Sequence, residues 1–401
     1  MHLNFTTRYG LDYPSGFTAF AVNSSLKKKD PDTALLYCPC GANWGGVFSQ
    51  NRFRSSSLDN AVRKKDALCK ALLVCSKNAN AGTGSLGAET DRIIINSLAQ
   101  KLGIGTANVL VSYTGVVGVP FPWQKIKANL NNISQRALSG QKQIKTYPFA
   151  DGILTTDTVR KRFAVKVNTP QGPVRFAGCA KGSGMIYPNM ATMLAYITTD
   201  LAVTNKQLQY LVSNTAAESF NRITVDGDTS TNDTFIAFAS GLSKVKYASY
   251  KKLFKKVFRE IAVRLARAVV ADGEGATKFI TIRVTGCRSQ EHADRIAARV
   301  ANSLLLKTAV FGSDPNYGRI LAAVGACGVP LRKEKVAISF GNIILYKDNK
   351  VLPANIHKAA AYLKNKNIII NINTGAGKAE SIFWTCDISY DYVRINAEYT
   401  T

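Results

Sequence analysis

Histidine is nearly absent: the 401 residues contain three, His2, His292 and His357, none near another. That removes the usual general base of a serine or cysteine nucleophile and a common zinc ligand. Eight cysteines stand at 38, 40, 69, 75, 179, 287, 327 and 386. Only Cys38 and Cys40, in YCPCG, lie close together, and no second pair follows at metal spacing. Buried reduced thiols are expected, and a metal site is not. No apolar run approaches the ~20 residues of a membrane helix, so no membrane partner is expected. The opening MHLNFTTRYGLDYPSGFTAF lacks a basic segment followed by an apolar one. No secretory signal is read there, and its low arginine content does not favour a transit peptide. The default address is the cytoplasm, with an organelle matrix left open.

Acidic residues are also scarce, 26 against 52 Lys and Arg, which gives a net charge of +26. Such an excess invites anionic partners, nucleic acid included. The basic residues are nevertheless spread along the chain, densest at Lys27 to Lys29, at Arg63 to Lys65 and in SYKKLFKKVFREIAVRLARAVV. No arginine-rich tract or aromatic-interleaved platform accompanies them. A solvated basic surface, or attraction for small anionic substrates, accounts for the charge, and nucleic acid is not expected as a partner.

What is present is an ordinary globular composition, 46% hydrophobic and 19% charged, in a chain long enough for two or three domains. Short β-rich runs alternate with helical ones, so the fold class is mixed α/β. Ala71 to Cys75 reads as a buried strand, and a second strand ends near Ser112 before a Gly-rich loop. SLDNAVRKKDALCKALLV and TDRIIINSLAQKLG have helical patterns, the latter closed by Gly103. TPQGPVRFAGCAKG suggests a hairpin arm. Residues 252–271 carry one apolar stripe through Phe254, Val257, Phe258, Ile261, Leu265 and Val269, with Gly273 as its cap. EHADRIAARVANSLLLK is a single amphipathic helix in this reading, with Ser289 as N-cap. KFITIRVTG, KVAISFGNIILY and KNIIININTG alternate as strands, and INTGAGK is a hairpin turn rather than a phosphate loop. A domain boundary falls near residue 275, giving units 1–275 and 276–401.

Four stretches hold Gly, Asp, Asn, Ser and Thr at a density that turns alone seldom need. They are AKGSGMIYPNMATML, SFNRITVDGDTSTNDT, DGEGATKF and GSDPNYGRI, and within the first Thr192 follows Ala191 with no His or Cys nearby. Together with the ending DYVRINAEYTT, they resemble the ornithine acetyltransferase (glutamate N-acetyltransferase) family, and the match runs from about GFTAFAVNSSL to the last residue.

The resemblance implies a layered αββα sandwich. It also implies self-cleavage at Ala191–Thr192 into an α chain, 1–191, and a β chain, 192–401, assembled as a heterotetramer of two of each. Cleavage would explain the missing histidine. An N-terminal threonine carries its own base, an α-amine with a pKa of roughly 8. Thr192 is then the catalytic nucleophile, and Thr114 and Gly115 are the oxyanion-hole pair. Thr155, Lys181, Thr192, Glu274, Asn396 and Thr401 are the implied substrate-binding residues, Lys181 suiting a carboxylate and Glu274 an ammonium group. The implied reaction is a ping-pong transfer of the acetyl group of N2-acetyl-L-ornithine to L-glutamate, within arginine biosynthesis. No metal or organic cofactor is implied, although acetyl-CoA serves some relatives as a donor. Two other classes remain: a self-processing N-terminal-nucleophile hydrolase or aminopeptidase, and a basic binding protein with an intact chain.

Overall fold

The computed structural model describes residues 3–139, 145–187 and 193–398. Strand β1 (Thr18–Val22) pairs antiparallel with β2 (Thr33–Phe48), which serves two halves of one sheet. The first part of β2 pairs with β3 (Cys69–Asn78), and β3 pairs in parallel with β4 (Val109–Val116). Its last part, Asn43 to Phe48, pairs instead with the second half, where β5 (Lys161–Thr169), β6 (Gly172–Lys181), β7 (Leu194–Thr199) and β8 (Thr234–Ala239) lie in the order β8-β7-β6-β5. The β2–β3 register slips between Tyr37 and Ala42, at the CPCG stretch, where the extra residues let the strand change direction.

Alternation along the strands then sorts side chains into layers. Between the halves, Leu36, Leu72, Val74 and Leu110 share a core with Leu194, Tyr196, Ile236 and Phe238. The short helices α1 (Ser56–Arg63) and α4 (Phe149–Gly152) add Leu58, Phe149 and Ala150 to it. On one outer face, α2 (Gly84–Leu102) and α3 (Trp123–Ser139) bury Ile94, Leu98, Ile126 and Leu130 against Leu35, Leu73 and Val111. On the other, α5 (Asn205–Glu218) and α6 (Lys251–Ala271) bury Leu208, Phe258, Ile261 and Leu265 against Phe176, Ala195 and Phe235. The result is a helix–sheet–sheet–helix sandwich. Each fully buried Leu, Ile or Phe in it contributes roughly 1.5–3 kcal/mol.

A second, six-stranded sheet begins at β9 (Phe279–Cys287). It continues through β10 (Ala337–Phe340), β11 (Ile343–Lys347), β12 (Lys350–Val351), β13 (Asn367–Asn373) and β14 (Ala379–Cys386), in the order β12-β11-β10-β13-β9-β14. Helices α7 (Gln290–Ala301), α8 (Leu304–Phe311), α9 (Tyr317–Gly325) and α10 (Ile356–Tyr362) cover one face, with Ala293, Ile296, Val310 and Ile320 packed on Ile280, Ile282 and Val284. From the other face, Phe279 and Trp384 lean on the cluster that contains α6. Helix α11 (Tyr390–Glu398) ends the described chain.

Several local expectations hold. Gly103 closes α2, β5 and β6 form the hairpin, and Ser289 Oγ accepts from His292 N at 3.2 Å to cap α7. Others give way. The strand expected to end at Ser112 runs on to Val116, because it keeps its parallel partner β3 as far as Asn78. The single helix expected over EHADRIAARVANSLLLK breaks at Asn302, since Ser303 Oγ caps a new helix by accepting from Leu306 N. The helix expected over SLDNAVRKKDALCKALLV stops at Arg63, and the chain enters β3 at Cys69. INTGAGK is no hairpin: β13 and β14 flank β9 on opposite sides, so the segment crosses over the end of β9. Helix α6 is capped at Asp272, not Gly273.

Candidate active site

The C-terminal ends of β4 and β6 open toward the same side of the sandwich. There they meet the loop after α4, the loop after α6 and the exposed last helix. A cavity of about 160 Å³ lies between them and is lined by Thr114, Gly115, Thr155, Lys181, Glu274 and Asn396. Six residues expected from the sequence, up to 282 positions apart, are thus brought together. Ala191, Thr192 and Thr401 lie outside the described residues, but Met193, the residue after Thr192, lines the cavity. A larger cavity of about 530 Å³ lies among Arg8, Tyr9, Tyr13, Arg136 and Arg162 and holds none of the expected residues. The smaller one is the better reaction site, because a lysine, a carboxylate and small-residue backbone converge on it.

Lys181 is the best-defined group in the cavity. It is 9% exposed, and its Nζ donates to Thr114 Oγ1 at 3.0 Å. A hydroxyl that accepts from an ammonium keeps its own hydrogen to donate elsewhere, which suits Thr114 to a developing oxyanion. Burial lowers the Lys181 pKa, and Lys161 adds to this; Asp157, Asp233 and Glu274 oppose the shift without cancelling it. Beside Thr114, Gly115 has φ +132°, and a Cβ there would lie 2.6 Å from Asn78 N and closer still to the Lys77 carbonyl. Only glycine lets the chain pass so near this wall in that conformation.

Glu274 is placed from both sides. Its N–H donates to Ser183 O at 2.9 Å, and its Oε2 accepts from Asn396 Nδ2 at 3.0 Å. Helix α11 can come this close because Gly275 has φ +66° and no side chain: a Cβ there would collide with the Tyr392 backbone N and approach Ser389 Oγ at 2.9 Å.

Behind the cavity lies a buried ionic cluster. Lys161 Nζ sits 2.6 Å from Asp157 Oδ1 and 2.5 Å from Asp272 Oδ2, with all three side chains almost wholly enclosed. Asp157 also accepts from Gly182 N at 2.7 Å and Thr155 N at 3.1 Å, and Asp272 holds the Thr158 hydroxyl. One carboxylate therefore fixes both the loop of Thr155 and the turn after Lys181. Burial alone would raise the Asp157 carboxyl, but Lys181, Lys161 and the Gly182 N–H outweigh it and hold it below its usual range.

The stretch SFNRITVDGDTSTNDT yields residues that were not singled out individually. Asp226 accepts from Met185 N at 2.6 Å and Ile186 N at 2.8 Å, and Thr224 Oγ1 donates to Ile186 O, so this loop clamps the segment leading toward Thr192. Asn232 Nδ2 donates to Ala79 O and Tyr113 O, which ties β8 to the end of β4. Asn232 and Asp233 themselves line the cavity. Their only sequence signal is position: two polar residues directly before the fully buried strand TFIAFA. DPNYGRI, by contrast, lies away from the cavity. Its Asn316 caps α9 by accepting from Arg319 N at 3.1 Å, a structural use of the same polar composition.

A buried lysine bound to a threonine hydroxyl, a glycine and a half-buried carboxylate share one cavity with the residue that follows Thr192, a set that fits an acyl-transfer enzyme. The family follows from comparison with known proteins. The pattern of the ArgJ family matches residues 18–401, and the chain belongs to that family. It is 38% identical over 409 residues to arginine biosynthesis bifunctional protein ArgJ 1 of Nostoc sp., with 98% of each chain covered. It is 39% identical over 400 residues to the corresponding protein of Caldanaerobacter subterraneus, again with 98% of each covered. Among solved structures, arginine biosynthesis bifunctional protein argJ of Bacillus halodurans is 38% identical and matches 51% of this chain and 98% of its own, with a TM-score of 0.49. No helix among the described residues is long and apolar enough to cross a membrane.

Proposed function

We propose that this chain transfers the acetyl group of N2-acetyl-L-ornithine to L-glutamate through an acetylated Thr192, and that it first cuts itself at Ala191–Thr192. The observation that carries the reading is the meeting of Thr114, Gly115, Lys181 and Glu274 around one cavity bordered by Met193. The α-amine of Thr192 takes the hydroxyl proton as the hydroxyl attacks the acetyl carbonyl, and Thr114 and Gly115 stabilise the oxyanion. The proton then passes to the departing ornithine nitrogen. Glutamate enters the emptied cavity and takes the acetyl group by the reverse steps. Lys181 is assigned to a substrate carboxylate, Glu274 to an ammonium group, and Thr155, Asn396 and Thr401 to further substrate contacts. The chain's own groups supply each of these steps, so no metal or organic cofactor is invoked; acetyl-CoA is an additional donor to be tested. The cut products, 191 and 210 residues long, assemble as two α and two β chains in the cytoplasm.

The test is to incubate the enzyme with N-acetylornithine alone and weigh the β chain. A gain of one acetyl group that glutamate then removes, with parallel initial-velocity lines, is the expected result. An unmodified β chain with intersecting lines rejects the covalent route. Acetate release at the same rate with and without glutamate favours the hydrolase.

A further inference from the structure

Cys38 and Cys40 meet where the first sheet changes partners. Strand β2 pairs with β3 as far as Tyr37, resumes at Ala42 opposite Cys69, and passes to β8 from Asn43. Residues 38–41 therefore have no register partner in either half of the sheet. In a regular strand, residues two apart point to the same face. These two do not share an environment: Cys38 is 2% exposed and sits in the core between the halves, whereas Cys40 is exposed. Pro39 between them has no N–H to satisfy, and Gly41 turns the chain at φ +77°. The two Sγ atoms lie 3.4 Å apart, one thiol donating to the other. All eight cysteines are free, and the other seven are buried. Cys69, the third thiol of this neighbourhood, is held on the paired strand β3 and donates to Ala71 O at 3.5 Å.

We propose that Cys38 and Cys40 form a dithiol site for exchange with small disulfides of the oxidised glutathione type, Cys40 attacking and Cys38 resolving. The Cys40 thiolate attacks one sulfur of the small disulfide; that S–S bond breaks, one thiolate leaves, and a mixed disulfide stands on Cys40. Cys38 then gives its proton to the departed thiolate or to water, and its sulfur attacks Cys40 Sγ. The second small thiol leaves as the Cys38–Cys40 bond forms. Two cysteine thiols are oxidised, and the small disulfide is reduced to two thiols. The division of roles follows from burial. Only the exposed sulfur meets a disulfide in solvent. Burial pushes the Cys38 thiol up, with Cys40 and Cys69 adding to this, while the Gly41 N–H supports its thiolate. A thiol that no reagent reaches is left to react with the neighbour it touches. The contact must shorten to about 2.05 Å, and residues 38–41 can take up that movement because no ladder pairing holds them. Neither cysteine lines the active-site cavity, so this chemistry is separate from acyl transfer.

The experiment incubates the native enzyme with oxidised glutathione, quenches with acid and weighs the chain that carries residue 38, whether or not the protein is cut at Ala191–Thr192. The expected wild-type product is about 2 Da lighter, and dithiothreitol restores the original mass. Tandem mass spectrometry of the peptide holding both residues places the new bond between Cys38 and Cys40. Cys38→Ser stops at a glutathione adduct on Cys40, and Cys40→Ser reacts about tenfold more slowly or not at all. A wild type that stays unmodified, or that keeps a stable adduct on Cys40, overturns the proposal, as does a bond between Cys38 and Cys69. If Cys38→Ser, altered in the core, does not fold, the wild-type product and Cys40→Ser, altered at an exposed position, decide the matter.

Discussion

Replacing Gly184 with alanine separates the placing of Glu274 from the stability of the fold. A Cβ at Gly184 would lie 2.6 Å from Glu274 Oε1 and closer still to Oε2 and Cδ. Non-bonded heavy atoms keep about 3.5 Å, so the carboxylate must retreat by roughly 1 Å. It can do so, because what is struck is the end of a flexible, half-buried side chain and not backbone. The 3.0 Å hydrogen bond from Asn396 is then lost, and the carboxylate leaves the cavity wall. A hydrogen bond to a charged group contributes about 1.5–3 kcal/mol, which corresponds to a loss of about ten- to hundredfold in kcat/KM for N-acetylornithine. The assay is steady-state kinetics beside a thermal melt, with Glu274→Gln as reference. The expected result is a Glu274→Gln-like kinetic defect in a Gly184→Ala protein that melts near the wild type and is fully cut. Wild-type kcat/KM in Gly184→Ala, or in Glu274→Gln, refutes the assignment of Glu274 to the ammonium group.

Two further outcomes concern stability. Lys161→Met leaves Asp157 and Asp272 buried without their shared cation, and a broken buried ion pair costs about 3–5 kcal/mol. Denaturant unfolding measures this, and a loss under about 1 kcal/mol contradicts the enclosed cluster. Asp91, 1% exposed, accepts from Ser56 Oγ and Asn80 Nδ2, yet burial raises its carboxyl to about 6. A carboxyl raised on folding binds its proton more tightly in the native state, so its contribution is complete at low pH and is lost as pH rises from about 4 through 6. The loss is about 3 kcal/mol by linkage. Urea titrations across that window should show a smaller decline in Asp91→Asn than in the wild type, and equal slopes reject the shift.

The sequence carried the layers better than the junctions. The stripe from Phe254 to Val269 and the alternation of KFITIRVTG survive because burial sets both periods directly. The break at Asn302 was hidden because Ala293, Ile296 and Val300 continue in phase toward Leu304, while Ser303 decides the matter through one capping bond. The crossover after β13 was hidden because strand order depends on long-range pairing, which local turn chemistry does not encode. The meeting of Lys181 with Glu274 was legible only through the family resemblance, since no spacing in the chain relates them. Asp233 escaped notice because a single acid among Asp, Ser and Thr residues looks like any turn; only its burial against Met193 sets it apart. GSDPNYGRI shows the reverse error, in which the residues of a helix cap imitate those of a site.

The most direct test of the account is the intact mass of the purified protein under denaturing conditions, measured beside Thr192→Ala. The account predicts two chains of 191 and 210 residues from the wild type and one chain of 401 from the variant. A single uncut wild-type chain that still transfers acetyl groups would contradict it, because the base assigned to the reaction would not exist.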